Sequence, residues 1–162
     1  MEIVFVEDPQ EKRRIAAGIL GELPAWFGLP ESTKAYIETS TALPFWAAME
    51  AGEPLGFIVE KQTGPRTAEL YVMGVQPQRH RQGTGRRLLM ALEADCREKG
   101  FRFLQVKTVA AGHYEEYDRT RLFYEAMGFT QLEVFPTLWD PWNPCLVMVK
   151  WLGEVEKGRN GI

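Results

Sequence analysis

Apolar positions change their spacing several times along the chain, and each change marks a new element. Met1–Val6 alternates and is short, which predicts an opening strand. Asp8-Pro9 then supplies a cap and a proline suited to a first helical turn, so a helix is expected to about Leu20. The stretch from Leu23 to Pro30 is an aromatic loop punctuated by Pro and Gly, after which Glu31–Thr41 resumes as a second helix, ended by Pro44. Phe45–Glu50 and Pro54–Glu60 are short apolar runs around Ala51-Gly52-Glu53, a hairpin signature, and a turn at Gly64-Pro65-Arg66 leads into a strand over Thr67–Gln76.

From Arg86 to Lys99 the period becomes helical. Leu89, Leu92 and Cys96 repeat on one face, with Leu88 and Ala91 beside them, and Gly100 closes the helix. Phe103–Val109 reads as the next strand, and Tyr117–Met127 as a helix with Thr120, Phe123, Tyr124 and Met127 on one stripe, stopped by Gly128. Two final strands, Thr130–Phe135 and Leu146–Leu152, are expected to flank a proline-rich connection over residues 136–144, and residues 153–162 form a polar tail that frays. Strands, then helices, then alternation predict a mixed α/β sheet covered by helices in a single domain over 1–152.

The 162 residues are 45% hydrophobic and 25% charged, the balance of a globular protein. No apolar run reaches the roughly 20 residues that a bilayer span needs, and the N-terminus lacks a signal-peptide pattern, so a cytoplasmic protein without a membrane partner is expected. A net charge of -3 argues against a nucleic-acid partner, which would demand a broad basic face. Two cysteines, Cys96 and Cys145, are too few for a disulfide framework; both fall on apolar stripes and read as packing residues. No Cys/His cluster suggests a metal.

The chemistry concentrates between Val75 and Leu89, where a strand passes through a basic loop with glycines at 83 and 85 into the strongest helix. Such glycines let the backbone approach a ligand, and the unpaired N–H groups of a helix start favour an anion. Arg79, Arg81, Arg86 and Arg87 crowd the same place and would repel one another without a polyanion, for which a pyrophosphate is suited. A solvated basic loop is the plain alternative. No Gly-Lys-Ser/Thr follows, which excludes a Walker loop, and the third glycine of a Rossmann fingerprint is missing.

What remains resembles the GCN5-related N-acetyltransferase (GNAT) family, whose phosphate loop reads Arg/Gln-x-x-Gly-x-Gly/Ala before a long helix and maps here onto His80-Arg-Gln-Gly-Thr-Gly85. His80 stands where the family has Arg or Gln. The family's order of strand, two helices, three strands, helix, strand, helix and two strands is the order read above. The resemblance implies a mostly antiparallel central sheet with helices on both faces and acetyl-CoA as acyl donor without a metal. It implies a pyrophosphate site built from His80, Arg81, Gln82, Gly83, Thr84, Gly85 and Arg86, and a pantetheine arm pairing with Met73, Gly74 and Val75. Gly74 would mark where the family splays two parallel strands, or would simply relieve packing.

The stretch Thr120-Arg-Leu-Phe-Tyr-Glu-Ala-Met-Gly-Phe129 looks like the family's A-x-x-L/F-Y-x-x-x-G-F helix, which implies that Tyr124 lies beside the sulfur; alone it would read as a core tyrosine. Glu69 resembles the glutamate that histone-type members use as general base, against the alternative of a strand-edge carboxylate. His113, Glu115, Glu116 and Asp118 would attract a cationic acceptor or cap a helix, and Trp26, Phe27, Tyr36, Trp139 and Trp142 hint at apolar walls around an amine. The expected activity is acetyl transfer to a primary amine of a small molecule or protein, with a non-catalytic acyl-CoA-binding module as the rival. Exposed edge strands make a homodimer an open possibility.

Overall fold

A computed structural model describes residues 1–24, 30–112, 114–140 and 142–153. Its elements follow the expected order: β1 (Glu2–Phe5), α1 (Pro9–Gly21), α2 (Pro30–Ser40), β2 (Phe45–Glu50), β3 (Glu53–Gly64), β4 (Thr67–Val75), α3 (Thr84–Glu98), β5 (Phe103–Val109), α4 (Glu115–Ala126), β6 (Thr130–Asp140) and β7 (Asn143–Trp151), with a short 3-10 turn at Pro77–Arg79. Seven strands form one mixed, mostly antiparallel sheet in the order β1-β2-β3-β4-β5-β7-β6. The parallel ladder joins Thr67–Glu69 of β4 to Phe103–Gln105 of β5, although both strands run on, to Val75 and Val109.

The chain divides into two compact units. The first holds Met1–Lys61 and Leu70–Leu92. Asp8 caps α1 by accepting from the Gln10 amide at 3.0 Å, and Pro9 fills the first turn as its fixed φ predicts. The helix buries Ile15, Ala16, Ile19 and Leu20 against Phe45, Ala47, Phe57, Val59 and Val72, with the Phe45 and Phe57 rings stacked at 5.1 Å. Lys12 is buried as well, because its ammonium donates to the Leu43 carbonyl at 2.7 Å, beyond the end of α2.

Two glycines let β3 and β4 approach closely at the end of β4. A Cβ on Gly56 would stand 2.8 Å from the Gly74 carbonyl oxygen and 3.3 Å from Leu88, and one on Gly74 would stand 2.9 Å from Ile19. Packing against α1 is thus one definite job of Gly74. Backbone cannot step aside as a side-chain tip can, so Gly56→Ala should cost about 1–3 kcal/mol, the usual range for overpacking. A urea denaturation midpoint equal to that of the wild type would refute this.

The second unit holds Gln62–Glu69 and the chain from Glu93 onward. Its core sets Leu104 and Val106 of β5 beside Leu146 and Met148 of β7, strands in continuous antiparallel register from Phe103↔Trp151 to Val109↔Cys145. Glu93 is buried on the apolar side of α3, ion-paired to Lys150. A buried carboxylate of this kind needs its cation, because an unpaired charge there would lose its hydration without compensation.

The proline-rich stretch departs from expectation. Strand β6 continues to Asp140 and β7 begins at Asn143, so most of residues 136–144 is strand, not connection. The register slips between Phe135↔Cys145 and Asp140↔Asn143, leaving residues 136–139 opposite Pro144 alone. Pro136 is tolerated at such an irregularity on the outermost strand, where a missing N–H breaks no inner ladder. Pro144 still serves the sheet through its carbonyl, which accepts from the Ala110 amide at 2.9 Å.

Candidate functional site

In the first unit, β4 ends at Val75 and the chain turns through Pro77–Arg79 into the basic loop. Arg81 and Gly83 both adopt left-handed backbone, with φ of 63° and 81°. Alternation of this kind gathers successive N–H groups into a concave anion cradle. Only with Arg87, whose amide donates to the Gly83 carbonyl at 3.0 Å, does the ladder of α3 begin. Among the described residues, the amides from Arg81 to Arg86 have no carbonyl partner. They sit at the head of a 15-residue helix, where the dipole adds about half a positive charge.

The basic side chains divide into two groups. Arg79 is engaged by Glu50 at 2.8 Å, and Arg87 donates to the Met1 carbonyl at 2.9 Å, so these two tie the loop to the first strands. Arg81 and Arg86 are exposed, with no ion pair among the described residues. His80, which departs from the family pattern, turns back: its Nε2 lies 2.8 Å from the Val75 carbonyl. It braces the end of β4. Gln82 donates to the Gln78 carbonyl at 3.1 Å, a second stay across the loop. Thr84 is buried beneath the cradle, whereas Gly83 is open, with no atom within 4 Å of where a Cβ would stand. Met73, Gly74 and Val75 form the last residues of β4, and the amide after them, that of Gln76, donates to the Leu55 carbonyl at 2.9 Å.

Glu69 and Tyr124 belong to the second unit. Glu69 is the last β4 residue in the parallel ladder, opposite Gln105, and it is buried. Lys107, two residues along β5 and so on the same face, reaches its carboxylate at 3.4 Å, a partner that sequence spacing does not reveal. Cys145 shares these neighbours. Burial pushes its thiol up to about 11, with Lys107 drawing it down and Glu69 pushing it further up. At neutral pH it is a thiol and no nucleophile. Cys96 is buried too.

Tyr124 is the one residue buried in the span of α4. Its ring meets Phe123 and Phe129 edge-on, each at 5.6 Å between centroids, and its carbonyl accepts from the Phe129 amide at 3.0 Å. Gly128, at φ 97°, makes that turn possible and folds Phe129 back over the tyrosine ring. The Gly-Phe of the motif therefore has a local structural purpose, fixing the ring.

The other candidates separate. Asp118 accepts from the Gly112 amide at 3.0 Å and lies 3.9 Å from Arg121, so it secures the entry to α4. Glu115 and Glu116 occupy the first helical turn, where acidic residues complement the dipole. Tyr36 packs on Tyr71 at 5.3 Å, and Trp139 and Trp142 are exposed on β6 and the hairpin after it. Trp26, Phe27, His113 and residues 154–162 lie outside the described residues. Among the described residues no group of three metal-ligating side chains occurs, and no helix is long and apolar enough to cross a membrane.

A family model described as "Acetyltransferase (GNAT) family" matches residues 16–129. No curated protein sequence matches the chain. Among solved structures, it is similar to a protein of the GNAT family from Desulfovibrio desulfuricans (22% identity, 94% of this chain and 100% of that one, TM-score 0.80). It is also similar to an aminoglycoside 6'-N-acetyltransferase complexed with coenzyme A (20%, 94% and 98%, TM-score 0.75). A third likeness is to the ribosomal-protein-S18-alanine N-acetyltransferase of Escherichia coli (18%, 97% and 98%, TM-score 0.73). At these identities the likeness is one of fold.

Proposed function

The chain belongs to the acetyltransferase (GNAT) family, and from that premise we propose that it transfers an acetyl group from acetyl-CoA to a primary amine by direct attack on the thioester. One observation carries the reading: at the head of α3 the amides of Arg81–Arg86 donate to no backbone carbonyl within normal hydrogen-bond geometry among the described residues, and two exposed arginines flank them. A pyrophosphate fits that cradle in charge and in hydrogen-bond demand. His80 and Gln82 then act mainly by shaping the loop, and Arg81, Gly83, Thr84, Gly85 and Arg86 make the contacts. Met73, Gly74 and Val75 offer backbone groups to the pantetheine arm, and an N–H near Val75 polarises the thioester carbonyl.

In this reading the neutral amine attacks the carbonyl carbon, a C–N bond forms, the C–S bond breaks, and the departing thiolate takes a proton. Tyr124 donates a hydrogen bond to that sulfur. Glu69 accepts the proton that the amine sheds, directly or through water, and Lys107 keeps the carboxylate in place. An amine like that of lysine, with a reference pKa near 10.4, is only about 0.04% neutral at pH 7, a handicap of roughly 4.6 kcal/mol that a base relieves. The acceptors named for the structural neighbours, an aminoglycoside and a ribosomal-protein alanine, support an amine acceptor in general. Two buried cysteine side chains suit the reducing cytoplasm, where we place the reaction.

The test is a panel of amines with acetyl-CoA, read by release of free coenzyme A. Tight coenzyme A binding without turnover on any amine would favour an acyl-CoA-binding module instead. Glu69→Gln should lower the rate most at low pH and recover part of it as pH rises and the amine deprotonates by itself. Parallel pH–rate profiles for mutant and wild type would leave Glu69 as a partner of Lys107 only.

A further inference from the structure

We infer that Lys61, held by Tyr71 and Tyr36, is the anchor of a subsite for an anionic group, so that the amine this chain acetylates also carries a carboxylate. The inference rests on the acetyl-transfer reading above and names its acceptor class. All three residues belong to the first unit, and each is half-buried. Tyr36 of α2 meets Tyr71 of β4 with ring centroids 5.3 Å apart and planes at 54°, which makes a corner of two aromatic faces. The Lys61 ammonium lies 5.3 Å from the centre of the Tyr71 ring.

The corner is held from behind. The fully buried Ser40 hydroxyl donates to the Tyr36 carbonyl at 2.6 Å, and the Lys12 ammonium donates to the Leu43 carbonyl just past α2, so the helix end that carries Tyr36 is fixed. Lys61 stands on β3 two residues beyond Val59, the last to pair with β2. Its neighbour Glu60 is buried, and strand alternation turns it to the opposite face. Tyr71 stands on β4 between Glu69 and Met73, the positions proposed for base and donor.

The cation is not neutralised. Among the described residues Lys61 makes no ion pair and no hydrogen bond. A ring face attracts an ammonium but leaves most of its three N–H donors unserved. A carboxylate would accept from them in charge-assisted bonds, while the tyrosine faces take the carbon chain that joins it to the reacting amine. An acceptor with a second ammonium would meet Lys61 as a like charge, which disfavours polyamines and aminoglycosides.

The test uses ω-amino acids from glycine to 6-aminohexanoate, each against the alkylamine and the α,ω-diamine of matching length, read by release of coenzyme A. At the length that fits, kcat/KM should be at least about 10-fold higher for the amino acid than for the alkylamine, the worth of one charge-assisted hydrogen bond, and lower still for the diamine. Lys61→Met, which keeps the stem, should cut that preference below about 3-fold, and Lys61→Glu should invert it towards the diamine. Circular dichroism melting checks that both variants fold. Calorimetry of the same amino acids on coenzyme A-loaded protein reads the subsite without chemistry, and Lys61→Met should weaken binding about 10-fold. Turnover that shows no preference for the carboxylate, or a preference that survives Lys61→Met, overturns the subsite and leaves acetyl transfer standing. Lys61-dependent binding with no turnover of any amine keeps the subsite and rejects acetyl transfer. Neither turnover nor binding overturns both.

Discussion

Gly83→Asp should abolish the stabilisation that coenzyme A confers, while the unliganded protein still folds. A ligand at 100 times its dissociation constant stabilises a native state by about 2.7 kcal/mol, and in this variant that gain should vanish. Space is not the reason, since nothing stands within 4 Å of a Cβ at this position. Two other effects act together. The φ of 81° is strained for any residue with a Cβ, and the new carboxylate would stand at the head of α3 among the amides that have no carbonyl to serve. Aspartate is a good helix cap, so it would occupy those donors itself and offset part of the strain. The protein would then carry its own anion in the place of the phosphates. Gly83→Ala separates the effects: it has the strain without the charge and should retain weakened binding. Unchanged affinity of Gly83→Asp, measured by calorimetry, would remove the phosphate loop from the proposed function.

Tyr124→Phe should lower turnover about 10- to 1000-fold and leave acetyl-CoA affinity nearly unchanged, a loss of ~1.4 to 4 kcal/mol of transition-state stabilisation. The ring's surroundings justify the choice of variant. Phe123 and Phe129 pack on the ring itself, and phenylalanine keeps those contacts. What is lost is the hydroxyl. A phenol with a reference pKa near 10 gives its proton fully to a thiolate near 8.5 only at a cost of roughly 2 kcal/mol, so a hydrogen bond to the developing charge is the economical role. The neutral thioester sulfur accepts poorly, which is why binding stays and rate falls. Normal turnover, with chemistry shown to limit the rate in a single-turnover experiment, would leave Tyr124 a packing residue.

Periodicity alone makes α3 legible: Leu88, Leu89, Leu92 and Cys96 are all fully buried, as their spacing requires. Strand β5 is legible over Phe103–Val109 because apolar alternation and flanking Gly100 agree on its limits. The end of the chain is not. Pro136 and Pro144 look like breakers in sequence, and only the register shows that they fall at the irregularity of an edge pair. Charges mislead in a different way. Arg79, Arg81, Arg86 and Arg87 look equivalent along the sequence, yet Glu50 and the Met1 carbonyl, both distant in sequence, claim two of them. Glu93 sits four residues after Leu89 on an apolar stripe, a placement that marks a buried charge, but nothing local names Lys150 as its partner. Glu69 and Lys107 meet for the same kind of reason, through a parallel pairing that only the fold supplies.

The burial of both cysteines has a bearing on product chemistry. In the proposed reaction each turnover frees a thiol, and coenzyme A that oxidises becomes a disulfide able to cap any accessible protein thiolate. Thiol exchange needs the attacking sulfur deprotonated and reachable. Cys145 is neither, being fully buried with a thiol pushed up to about 11, and Cys96 is equally enclosed. In the proposed reaction, neither cysteine among the described residues is therefore open to capping by the oxidised thiol product.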